Sequence, residues 1–204
     1  RMSASKLGAA PKPPSSDDNA FKTQLVALIP HLRAFARTLT GDPTAADDLA
    51  QDAMMKAWDA RASYQMGTNM KAWTFMILRN QFYSEKRRSW RQSQLDQEAA
   101  ERTLVAVDDP EAPVALDELR QALKTLPEEQ REALILVGAG GFAYEEAAEI
   151  CGCAVGTVKS RVSRARRALL ATLERGGYAR DGKAAGDAMR SILGEADRLS
   201  GARD

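Results

Sequence analysis

Residues 144–170 read YEEAAEICGCAVGTVKSRVSRARRALL, two amphipathic runs around a Gly-Cys-Ala-Val-Gly break. The first run opens on Glu145 and Glu146 and then carries Ala147, Ala148 and Ile150. The second spaces Val155, Val158, Val162, Ala165 and Leu169 three or four residues apart, which makes one stripe of a helix. Its remaining faces hold Lys159, Arg161, Arg164, Arg166 and Arg167, and no acidic residue follows until Glu174. Two short helices meeting at a glycine-containing turn, the second of them basic, form the pattern of a helix-turn-helix.

The chemistry of that pattern is direct. Lysine and arginine neutralise phosphates and release condensed counterions, and an arginine can grip guanine through two hydrogen bonds. The small residues Thr157, Ser160 and Ser163 near the start of the second run allow close approach to a groove wall. The plainer alternative is a solvated basic face on an ordinary packed helix. The rest of the chain decides between them.

With 204 residues the chain holds one ordinary domain or two small ones, and 44% hydrophobic with 28% charged residues describes a globular protein. The net charge of +1 conceals a strong pattern. Lys71 to Arg91 carries six basic residues against Glu85 alone, and Val155 to Arg175 carries six against Glu174. Between them, Asp96 to Glu118 carries eight acidic residues against Arg102. Two positive segments around a negative one suggest two nucleic-acid contacts and an acidic connector. The apolar run from Leu134 to Ala143 is interrupted by three glycines and is too short to span a bilayer. Nothing near the start resembles a signal peptide, so a cytoplasmic protein is expected. Cys151 and Cys153 are too close for an easy disulfide, and with His31 as the single histidine there is no zinc set. No cofactor and no catalytic constellation is indicated, so an enzyme is not expected.

Taken in order, residues 1–20 are rich in Ala, Pro, Ser and Asp and read as a disordered arm. Phe21, Leu25, Leu28, Ile29, Leu32, Phe35 and Leu39 then predict an amphipathic helix ending at Gly41, which Pro30 either kinks or breaks. Asp42-Pro43-Thr44 reads as a capping turn before a helix from Asp47 to Trp58. On that helix Asp48, Gln51 and Asp52 share a face away from the apolar one, and composition alone reads them as a solvated acidic surface. A loop with Gly67, Asn69 and Met70 leads to a long helix through about Trp90, with Arg79, Asn80, Lys86, Arg87, Arg88 and Arg91 on its exposed side and end. Aromatics from Tyr64 to Trp90 interleave with those cations. The core is their ordinary place, yet the mixture also suits melted nucleic acid, where bases stack on rings. Residues 93–115 form an acidic, proline-containing linker. Two more helices follow, Leu116 to Thr125 and one opened by Pro127, and the chain after Gly176 is glycine-rich with a short helix over Asp187–Leu199.

The motifs DPTAADDLAQDAMMKAW, AWTFMILRN with a basic end, the acidic linker, LPEEQREALILV and GTVKSRVSRARRAL occur in that order. Together, over residues 21–173, they resemble the bacterial sigma-70-type factors of the extracytoplasmic-function class. VGAGGFAYEEAAEICGCAVGTVKSRVSRARRAL is similar to the alphaproteobacterial general stress response subgroup. The resemblance implies an all-α chain with two small helical domains. These are a sigma2-like unit over 21–92 and a sigma4-like helix-turn-helix unit over 116–176, joined by the linker 93–115 and followed by a tail over 177–204.

It also implies roles that spacing cannot. Asp48, Gln51 and Asp52 become contacts to the clamp coiled coil of core RNA polymerase. Tyr64, Asn69 and Asn80 fall where a flipped base of the −10 element is captured, and Lys86, Arg87 and Arg88 follow the −10 backbone. Lys159, Ser160, Ser163 and Arg164 would read the −35 element, with Thr157, Arg161 and Arg166 on phosphates. The implied partners are core polymerase, promoter DNA and an anti-sigma protein of the NepR type. Glu85 stands where the family often has Asp after its Arg-Asn pair. A plain helix-turn-helix regulator, and a sigma mimic that sequesters an anti-sigma protein, are the competing readings.

Overall fold

The computed structural model describes residues 16–95 and 114–175. The expectations for 1–15, for all but the ends of the acidic linker 93–115 and for the tail beyond 175 fall outside those residues; the linker's ends, 93–95 and 114–115, are helical rather than linker. Among the described residues all regular structure is helical: α1 Ser16–Ala27, α2 Ile29–Thr40, α3 Pro43–Asp59, α4 Met70–Leu95, α5 Val114–Lys124, α6 Glu128–Gly138, α7 Tyr144–Cys151 and α8 Val155–Arg175. One 3-10 turn, Arg61–Ser63, follows α3.

The first periodic run is two helices, and Pro30 is the cause. Proline brings no N–H and a fixed φ, so it suits a first turn and ends the helix before it. The break falls at Leu28, and α2 starts afresh with Pro30 in its opening turn. Helix α1 corrects the disordered-arm reading at its end, because residues 16–20 are helical. Asp17 and Asp18 favour the positive end of the helix, and Asp18 also accepts from Arg61 Nε at 2.9 Å. Helix α2 closes on Gly41, whose φ of 74° lets its N–H reach the Arg37 carbonyl.

Helix α3 begins four residues before the expected Asp47, at Pro43, with Asp42 Oδ1 accepting the Ala45 N–H at 2.7 Å. Helix α4 has 26 residues and so runs about 39 Å, five residues past Trp90. Its inner face places Ala72, Phe75 and Leu78 against α2 and α3.

In the second half, α6, α7 and α8 enclose Leu136, Val137, Ile150, Val158, Val162 and Leu169, all at or near zero exposure. Gly152 ends α7 with a φ of 62°, which turns the chain sharply into α8. That corner makes the helix-turn-helix. The two halves share one apolar cluster rather than standing apart. Phe75 stacks on Phe35 with ring centroids 4.8 Å apart and meets the edge of Phe142 at 5.0 Å, so α4 lies between them.

Candidate nucleic-acid interface

Helix α8 divides its faces as its sequence requires. Val158, Val162, Ala165 and Leu169 are buried, while Gly156, Lys159, Ser163, Arg164 and Arg167 are exposed. Lys159 sits 5.6 Å over the Tyr144 ring, which anchors its stem to α7 and leaves its ammonium at the surface. Thr157 and Ser160 are half-buried, and the Ser160 hydroxyl donates to the Thr157 carbonyl at 2.9 Å. Arg161 departs from the open face. Its side chain is only 17% exposed, it pairs with Glu129 of α6, and its other terminal nitrogen lies 3.6 Å from Cys153 Sγ. Arg166 is half-buried and engaged as well. Among the described side chains of α8, the cations exposed to a ligand are therefore Lys159, Arg164 and Arg167.

The first half carries a second cationic end. Asn80, Arg87, Arg88 and Arg91 are exposed at or toward the end of α4, and Trp90 stands among them at 64% exposure. Lys86 is exposed too, but it pairs with Glu128 of α6 and lies 5.8 Å from the Phe82 ring. The stem of α4 is organised differently from expectation. Arg79, read from the sequence as exposed, has a side chain only 16% exposed, and its Nε donates to Glu132 at 2.7 Å. Tyr64 is buried: its ring packs on Phe21 and Trp73, and its hydroxyl donates to the Thr68 carbonyl at 2.6 Å. It shapes the loop before α4 and offers no open ring to a base. Asn69 opens α4 by accepting the Ala72 N–H at 3.1 Å, and its amide donates to Glu146 of α7 at 2.6 Å.

Asp48, Gln51 and Asp52 are all exposed on α3, beside Met55 at 58% exposure. An acidic strip edged by an uncovered methionine is a surface suited to a basic protein partner, since it combines charge with a soft apolar contact.

Glu132 is the residue that sequence reasoning missed. It is a carboxylate at 1% exposure, gripped by Arg79 through Nε and a second nitrogen, with the Tyr83 hydroxyl at 3.4 Å. Burial lifts its pKa above the usual carboxylate range although Arg79 pulls against that, while the paired carboxylate outweighs burial at Arg79 and raises the guanidinium's pKa. Burial likewise raises the Tyr83 phenol and pushes the Cys151 thiol up to about 12. Nothing in LPEEQREALILV separates this glutamate from its exposed neighbours except its helical phase with Ala133 and Leu136. Both cysteines are free, and among the described residues no group of acidic, histidine or cysteine side chains could hold a metal ion. No described helix is long and apolar enough to cross a membrane.

A helix-turn-helix with a bare cationic face, coupled to a second helical unit that ends in cations, is the arrangement of a DNA-binding protein. The family comparisons agree with that class. Residues 25–92 match the family model for sigma-70 region 2, and residues 116–169 match the model for sigma-70 region 4. The chain belongs to the sigma-70 family of RNA polymerase sigma factors, in the extracytoplasmic-function class.

Among curated relatives, the chain is 44% identical over 176 residues to the sigma factor EcfG of Rhodopseudomonas palustris, covering 86% of this chain and 96% of that one. It is 34% identical over 134 residues to the sigma factor SigC of Mycobacterium tuberculosis, covering 65% of this chain and 72% of that one. Among solved structures it is similar to the sigma factor RpoE of Bartonella quintana, crystallised with the anti-sigma factor NepR. That match has a TM-score of 0.69 and 46% identity, over 77% of this chain and 98% of that one. CnrH, in complex with the cytosolic domain of CnrY, matches with a TM-score of 0.56 and 26% identity, over 78% and 90% of the two chains.

Proposed function

We propose that this chain is a promoter-specificity subunit of the general stress response type, acting in the cytoplasm with no chemistry of its own. The observation that carries the reading is the face of α8, where Lys159, Ser163 and Arg164 are exposed around the buried stripe of Val158, Val162, Ala165 and Leu169. This face enters the major groove of the −35 element, with Arg164 and Lys159 on base edges and Arg167 added to the phosphate contacts. Ser160 and Thr157 line the close approach, while Arg161 and Arg166 set the helix in place.

The unit over 21–92 holds core polymerase and the −10 element, and the unit over 116–176 holds the −35 element. Residues 93–115 connect them inside the enzyme. Asn80, Arg87 and Arg88 follow the −10 strand, with Asn69 and Lys86 joining them once released from α7 and α6. Melting exchanges base stacking and pairing, a few kcal/mol per base, for pocket and backbone contacts. Asp48, Gln51 and Asp52 dock on core polymerase. The relative solved with NepR supports an anti-sigma partner of that kind here.

The α3 assignment is tested by titrating labelled chain with purified core polymerase. Gln51→Ala with Asp52→Ala should weaken complex formation and leave −35 preference unaltered. Equal loss of promoter preference would show that α3 is not a separate docking face.

A further inference from the structure

The chain has three tryptophans, and two of them have structural work. Trp58 packs on Phe21 with ring centroids 6.1 Å apart and carries the Arg61 guanidinium 4.6 Å over its ring. Trp73 meets Phe21 at 6.1 Å and Tyr64 at 5.1 Å. Trp90 has no such place. It is 64% exposed, and none of the ring or cation contacts among the described residues involves it. Its position is nonetheless set, because α4 continues past it to Leu95.

A single exposed indole is ordinary on a protein surface. Its neighbours set this one apart. At 3.6 residues per turn, Trp90 lies between Lys86 and Arg87 of the preceding turn, with Arg91 on the Arg87 side. All three cations are exposed. Asn80, Arg87 and Arg91 fall in one row along α4, and the indole borders that row. Glu85 lies about 140° away round the helix axis, where it accepts from Gln81. The ring therefore stands in a wholly cationic setting on its own face. An apolar protein partner would have to strip water from those cations to reach it, and an acidic one would have no use for the ring. An unpaired base with its phosphates uses both, the π-face on the indole and the charges on the arginines.

We propose that Trp90 is a stacking residue for an unpaired base of the −10 strand, with Arg87 and Arg91 on the flanking phosphates. The proposal rests on the reading of α4 as the −10 face given above. From Asn80 to Trp90 the helix rises about 15 Å, which spans about four nucleotides at about 3.4 Å each. The base at Trp90 is therefore a different one from the base beside Asn80, and the indole lengthens the stretch of strand that α4 holds. Every base has a π-face, so this contact adds affinity without choosing a sequence.

The test uses holoenzyme assembled from the full chain and purified core polymerase. The probe is a labelled template that is duplex through the GGAAC element and single-stranded over the CGTT-type element, read by fluorescence anisotropy at several salt concentrations. Trp90→Ala should weaken binding about tenfold with the salt slope unchanged, since it removes a stack and no charge. Trp90→Phe should recover most of that loss. Arg87→Ala should instead lower the slope by about 0.7. Abasic sites placed one by one along the strand should weaken the wild type at the stacked position, and Trp90→Ala should lose nothing further there. Thermal denaturation and affinity for core polymerase should be the same for Trp90→Ala and wild type. Equal template affinity of Trp90→Ala and wild type would overturn the proposal. So would full additivity of Trp90→Ala with every abasic site, or a loss of core polymerase binding that made Trp90 a protein contact. Scrambling the CGTT-type element reports separately on the −10 reading. A wild type indifferent to scrambling fails that reading, whereas a wild type that keeps its preference and is matched by Trp90→Ala fails the stacking alone.

Discussion

Arg161 and Arg164 lie three residues apart on α8 and are alike in composition, yet their surroundings assign them different work. Arg164 is exposed and makes no ion pair with any described residue, whereas Arg161 is tied to Glu129 and approaches Cys153. Replacing Arg164 with alanine should leave thermal stability within about 0.5 kcal/mol of wild type, as for surface substitutions generally. It should weaken −35 binding by about 1–3 kcal/mol, the worth of a good bidentate base contact, and flatten the preference at one base position. Were Arg164 instead on a phosphate, the loss would be uniform across sequences and the salt slope would fall by about 0.9.

Arg161→Ala should show the converse. Its partner Glu129 is 65% exposed, so solvent screens the pair and its loss is worth only about 0.5–1 kcal/mol of stability. The preference among −35 sequences should survive. The assay is fluorescence anisotropy on a −35 duplex and its single-base variants at several salt concentrations, alongside thermal denaturation of both proteins. If Arg161→Ala relaxes base preference as much as Arg164→Ala with stability unchanged, the division between anchoring and reading on α8 is wrong.

Three further outcomes follow from the same geometry. A methyl group on Gly140 would meet the Leu136 carbonyl oxygen at 2.5 Å and the Phe142 ring at 2.9 Å, so Gly140→Ala should cost about 1–3 kcal/mol by overpacking, read by urea denaturation. Gly152 has open space around it but a φ of 62°, so Gly152→Ala should cost about 1–2 kcal/mol through backbone strain alone. Cys151, its thiol pushed up from 9.0 to about 12, should resist alkylation at pH 8 in the folded chain. Between those two values the folded state keeps a proton that the unfolded state releases. Stability should therefore fall as pH rises above 9.0, by up to about 1.4 kcal/mol per pH unit from this group, checked by denaturation across that range.

The helix-turn-helix was legible because two local rules coincide there. The valine spacing of α8 sets its buried stripe, and Gly152 supplies a corner that other residues adopt only with strain. The acidic strip on α3 was legible as a surface, and only the family resemblance proposes it as a docking face. The contact between the halves was not legible. Arg79 and Glu132 are 53 residues apart, and each looks like an exposed charge in its own helix. Only the packing of α4 against α6 and α7 removes both from water. Tyr64 was placed at the −10 base by the resemblance alone; its ring is claimed by Phe21 and Trp73, the core position that is ordinary for an aromatic.

The central claim is that this chain turns core polymerase into a promoter-specific enzyme. Run-off transcription with purified core polymerase, on a template carrying GGAAC and CGTT-type elements, tests it most directly. A transcript that appears only with this chain, and that disappears when the GGAAC element is scrambled, is the expected result. Binding to the template without any initiation would contradict the claim and make the chain a plain helix-turn-helix regulator.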